Sequence, residues 1–240
     1  MKHIQTEELK DWISPYLTVT AKRLDVLKSL KQTNILKYFQ ELTLPNIFEK
    51  YAIILHSFWV YNLPENEIKQ INIKVDENLN CDCEFPEDDY NAVNWMDFYD
   101  TKNFDFDLAN AVKNNVDGKF PFKQMNNELY PGAGILDKKH LSEISRTALK
   151  LYGNQEIETY YIFLATNNWE EDKMYRLKIS ELMELIENEE TEKTPSLIYS
   201  TDKKWAINSD YDLEFSIIGG EKKFIESLTE KHPHEIYSIT

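Results

Sequence analysis

Tyr51-Ala52-Ile53-Ile54-Leu55-His56-Ser57-Phe58-Trp59-Val60 is the stretch on which the fold turns. It is β-branched, aromatic and apolar at odd and even positions alike. A strand with one wet face alternates apolar and polar residues. This one does not, so it reads as a central strand covered on both sides. Ile68 to Val75 is the expected partner strand.

Toward the N-terminus the period changes. Ile35, Leu36, Phe39 and Leu42 recur at helical spacing and stop before Pro45. Ala21, Leu24, Leu27 and Leu30 mark a preceding helix. Thr6 and the acids after it suggest a first helix carrying Leu9 and Trp12 and ended by Ser14-Pro15. Toward the C-terminus, Leu141, Ile144, Ala148, Leu151 and Tyr152 form one helical face that Gly153 terminates. Strands are predicted at 159–165 and 174–178, with a turn at Asn167-Asn168 between them. A short helix from Ile179 to Ile186 follows, then strands at 196–200, 204–208 and 211–218 and a closing helix around Phe224, Ile225 and Leu228. Short connections between strands mean antiparallel pairing. The expectation is therefore an α+β fold: a helical N-terminal segment and a mostly antiparallel sheet with helices packed on one side. Gly118 to Gly134, with Pro121 and Pro131, is the candidate linker between a region 1–125 and a region 126–240. The alternative expectation is a single compact domain.

Composition narrows the function. The chain has 240 residues, 27 Lys+Arg against 42 Asp+Glu, and a formal charge of −15. Such a balance argues against nucleic-acid or anionic-membrane surfaces, which need basic patches. Only six glycines occur, none before Gly118, and no glycine-rich phosphate loop, GxSxG elbow or HExxH pair is found. No apolar run approaches the roughly 18 residues of a membrane span, and the polar N-terminus has no secretory apolar stretch. Cys81 and Cys83 are too close for a structural disulfide, so reduced thiols in a bacterial cytoplasm are expected.

Residues 76–107 hold eleven acids and one base, Lys102, interleaved with seven aromatics. That aromatic density suggests folded structure with an acidic outer surface. Leu108, Ala109 and Val112 continue as a helix capped near Asp105. The segment could dock a basic protein, hold Mg²⁺ or Ca²⁺, stack a sugar on Trp95 and Tyr99, or be only a solvated face. The expectation is docking of a basic protein. Its surface is assigned to Asp88, Asp89, Trp95, Asp97, Tyr99, Asp100, Asp105, Asp107, Asp212 and Glu214.

Other candidates are weaker. His232-Pro233-His234 with Glu235 resembles part of a zinc site, but no further ligand is identifiable. His140 has no visible partner, and His56 reads as a hydrogen-bonded core histidine. No catalytic residue, metal ligand or cofactor is assigned.

Ile198-Tyr199-Ser200-Thr201-Asp202-Lys203-Lys204-Trp205, followed by Ser209-Asp210-Tyr211-Asp212 and Gly219-Gly220, resembles the ending of uncharacterised bacterial proteins. Some of these are similar to immunity proteins encoded beside polymorphic toxins. The likeness covers about a tenth of the chain and carries no catalytic residue. It implies a non-catalytic, immunity- or antitoxin-like protein that masks a basic effector such as a toxin. The alternative is a metal-dependent hydrolase with dispersed Asp, Glu and His residues.

Overall fold

A computed structural model describes residues 1–17, 20–61, 90–125, 127–166, 169, 171–187, 191 and 194–239. The expected strand at 68–75, the Cys81 and Cys83 thiols, Asp88, Asp89 and the Asn167-Asn168 turn lie outside these residues.

The quoted stretch forms two strands. β1 (Lys2–Ile4) comes first in the chain, and β2 (Lys50–Leu55) and β3 (Phe58–Tyr61) divide the stretch between two sheets. The break falls at His56-Ser57, where both side chains turn to polar partners. His56 Nδ1 donates to the Gly132 carbonyl at 2.7 Å, and the Ser57 hydroxyl donates to Asp137 Oδ2 at 2.6 Å. The expectation of double cover holds for β2, whose residues Tyr51 to Leu55 are all buried. Tyr51, Ile53 and Leu55 enter one core, and Ala52 and Ile54 enter the other.

The larger sheet also contains β6 (Glu156–Tyr161), β7 (Lys173–Lys178), β8 (Leu197–Ser200), β9 (Trp205–Asn208), β10 (Phe215–Gly220) and β11 (Ile236–Ile239). Its order is β1-β7-β6-β8-β9-β10-β2-β11, antiparallel throughout. β2 lies between β10 and β11, so the two halves of the chain share one sheet. The smaller sheet runs β4 (Tyr90–Val93), β3, β5 (Glu128–Leu129), also antiparallel. The fold class is thus α+β.

Helices cover both faces of the larger sheet, rather than the one face expected. α1 (Ala21–Thr33), α2 (Ile35–Thr43), α3 (Trp95–Thr101) and α4 (Leu108–Val116) contribute to one core. α5 (Lys138–Tyr152), α6 (Leu182–Leu185) and α7 (Lys222–Lys231) build the other. The reason is visible in β2, where both sets of alternating side chains are apolar and each needs a cover. Gly153, at φ +74°, ends α5 as the sequence predicts. The 118–134 stretch is not a free linker. Phe120, Phe122 and Tyr130 pack around Phe58, and β5 pairs with β3. Among the described residues no helix is long and apolar enough to cross a membrane.

Candidate functional site

α3 starts at Asn94, whose side chain accepts from the Asp97 amide and donates to the Asp97 carboxylate at 2.7 Å. Its apolar residues turn inward. Phe98 stacks on Phe58 with centroids 3.9 Å apart, and the Trp95 indole donates to the His56 carbonyl at 2.6 Å. Trp95 and Tyr99 are 1% and 3% exposed. They therefore offer no ring to a partner or a sugar, which corrects their assignment to the docking surface. Their amphipathic spacing places them on the core side of the helix that presents the acids.

The acids occupy the other side. Asp97, Asp100, Asp105 and Asp107 are all exposed. Asp107 caps α4 by accepting from the Asn110 amide at 2.9 Å, two residues later than the cap expected at Asp105. The base of the segment is diverted. Lys102 Nζ sits 2.6 and 2.8 Å from the two oxygens of Glu128, and both side chains are nearly buried. Among the described residues no base comes within 4 Å of the four aspartates. Phe104, 41% exposed, lies between them in sequence and follows Asn103, whose φ is +59°. It is the aromatic that the surface does present.

The late hairpin departs from expectation. The β10 strand starts at Phe215, so Tyr211 and Asp212 form a turn in which Asp210 Oδ1 accepts from the Asp212 amide at 3.0 Å. Asp212 is exposed. Glu214 is only partly exposed and hydrogen-bonds the Asn115 amide at the far end of α4. Burial pushes its carboxyl up to about 7, against the pull of Asn115. Glu214 is therefore not a full negative charge at neutral pH. Asp107 and Asn115 are eight residues apart on one helix, about 12 Å along its axis. Glu214 is thus set apart from Asp107, and the exposed acids of the segment are Asp97, Asp100, Asp105 and Asp107.

The residues from Ser200 to Trp205 build the β8–β9 turn. Ser200 Oγ accepts from the amides of Lys204 at 2.8 Å and Trp205 at 3.2 Å. Asp202 pairs with Lys204 at 2.8 Å, and the Trp205 side chain is fully buried.

A second cluster assembles where α5 begins and α7 ends. His140 Nε2 is 3.2 Å from Glu235 Oε2, and His232 Nδ1 is 3.0 Å from the same oxygen. Lys139 binds the other oxygen, Oε1. Burial alone would raise the Glu235 carboxyl, but His140 and Lys139 together hold it well below the carboxylate range. Behind His140, Nδ1 faces Asp137 Oδ2 at 3.4 Å, a contact too poorly directed to count as a hydrogen bond. The sequence pointed to His232 and Glu235 and missed His140, which is 95 residues from Glu235 in the chain. Position in the first turn of α5 was its one signal. His234, grouped with them by sequence, is exposed and outside the cluster.

A cleft of about 670 Å³ opens between the α1–α2 junction and α4, lined by Lys31, Asn34, Lys113 and Asp117 among others. It contains no member of the histidine cluster and a single carboxylate. No family model, curated protein or solved structure matches this chain.

Proposed function

We propose that the chain is a non-catalytic protein-binding module, an immunity- or antitoxin-like protein of the bacterial cytoplasm whose acidic face covers a basic effector. The observation that carries this reading is the surface from Asp97 to Asp107. It presents four aspartates with no nearby base among the described residues, and the exposed Phe104 ring among them. Carboxylates of this kind steer a cationic partner, while an aromatic ring supplies desolvated contact area. The buried aromatic layer beneath them holds the α3 part of the face rigid, which lowers the ordering cost of docking. Masking a cationic site needs no cofactor.

The test is retention of a basic protein from the host extract on immobilised chain. The wild type should retain it at low salt and release it as salt is raised. The D97N/D100N/D105N variant should retain much less. Equal retention by variant and wild type would count against the reading.

The hydrolase alternative has one observation in its favour, the convergence of His140, His232 and Glu235. It also needs a substrate cleft beside them, and the cleft between α2 and α4 is lined by none of the three.

A further inference from the structure

We propose that His140, His232 and Glu235 form a binding site for a zinc-class divalent cation, with His140 Nε2, His232 Nδ1 and Glu235 Oε2 as ligands. The inference does not depend on the docking face and implies no reaction. Three features support it. The first is distance. Ligands about 2.0–2.1 Å from a tetrahedral zinc lie about 3.3 Å from one another. The two nitrogen-to-oxygen distances are 3.2 and 3.0 Å, and all three donors fall within 4.8 Å of each other. The edge still to be closed runs between the two imidazoles, whose rings meet edge-on at 5.6 Å. His232 stands at the end of α7 on a turn, where a side-chain rotation can shorten that edge.

The second feature is the outer layer. Metal-bound imidazoles usually give their other N–H to a carboxylate, which fixes the ring and raises ligand basicity. Asp137 Oδ2 stands 3.4 Å from His140 Nδ1, not aligned as a hydrogen bond but one small ring rotation from that role, and Asp137 is itself anchored by the amide and hydroxyl of Ser57. Lys139 holds Glu235 Oε1, which leaves Oε2 as a single-oxygen ligand.

The third feature is access and donor type. His140 is fully buried, but the side chains of His232 and Glu235 are 22% and 16% exposed. Water can therefore fill a fourth position. Two imidazoles with one carboxylate suit zinc or a neighbouring first-row metal, whereas magnesium and calcium prefer oxygen-only sets.

The experiment is calorimetric titration of tag-free, chelator-stripped protein with ZnCl₂, accompanied by Co²⁺ absorption spectra and a MgCl₂ control. One zinc per chain should bind, with tetrahedral Co²⁺ bands and no magnesium response. His232→Ala should weaken zinc binding at least about 100-fold, and Asp137→Asn by about 10–100-fold. His234→Ala, on the same turn but outside the cluster, should bind zinc as the wild type does. Thermal melts should show His232→Ala folded without metal and no longer stabilised by it. Absence of zinc binding by the folded wild type, unchanged affinity in His232→Ala, or equal losses in His234→Ala and His232→Ala would overturn the assignment. The first outcome would leave an ion-pair network that closes α7.

Discussion

Glu214 and His56 show how burial sets the charge of single residues. Glu214 is raised from 4.5 to about 7 by burial, and His56 is lowered from 6.5 to about 4, again chiefly by burial. The Gly132 carbonyl can only accept, so His56 carries its proton on Nδ1 and takes a hydrogen bond at Nε2 from Ser216. Linkage gives the two opposite slopes. The stability tied to protonated Glu214 is complete below about pH 4.5 and is lost as pH rises through about 7. That tied to neutral His56 is present above about pH 6.5 and is lost as pH falls through about 4. Between pH 4.5 and 6.5 they offset each other in the wild type. The difference between Glu214→Gln and wild type isolates the first. That difference should shift in favour of the variant by about 2–3 kcal/mol from pH 4.5 to 8, in urea denaturation followed by circular dichroism. A difference independent of pH would mean that Glu214 ionises normally. His56 was legible in the sequence as a hydrogen-bonded core histidine, but the burial of Glu214 was not. Alternation placed Glu214 on the wet face, and only the tertiary approach of Asn115 and its helix dries it.

At the level of elements, local pattern served well where one face of a segment decides its fate. α2, α5 and α7 lie where their periodicity puts them, because each buries a single apolar stripe. The 51–60 run was harder. Its composition is equally apolar before and after His56-Ser57, so nothing local announces that β2 and β3 belong to different sheets. The break depends on Asp137, 80 residues away, which takes both the amide and the hydroxyl of Ser57. Both Ser57 and Asp137 are buried. Ser57→Ala should therefore cost about 1–3 kcal/mol, read as a lower urea midpoint at unchanged slope. A loss below about 0.5 kcal/mol would show that the hydroxyl does not hold this corner. The 118–134 stretch misled for a related reason. Its glycines and prolines suggest a linker, but Phe120, Phe122 and Tyr130 are drawn into the aromatic layer under α3. N-terminal Lys2–Ile4 was missed because a three-residue edge strand gains its order from β7.

For the whole molecule, the formal charge of −15 was evident at once, but its placement was not. Trp95 and Tyr99 became core, Glu214 lost part of its charge to burial, and Asp212 was carried to a separate hairpin. What remains is four exposed aspartates, Asp97, Asp100, Asp105 and Asp107, with the exposed Phe104 between them in sequence, and the proposed function stands on that stretch meeting a cationic surface. Three neutralised rim charges at about 0.2–1 kcal/mol each should lower affinity by about tenfold. The direct measurement is calorimetric titration of the retained basic protein with wild type and D97N/D100N/D105N, at low and at high salt. The account predicts about tenfold weaker binding by the variant at low salt, with the gap closing as salt screens the wild type. Equal affinities for the two proteins, unaffected by salt, would contradict it.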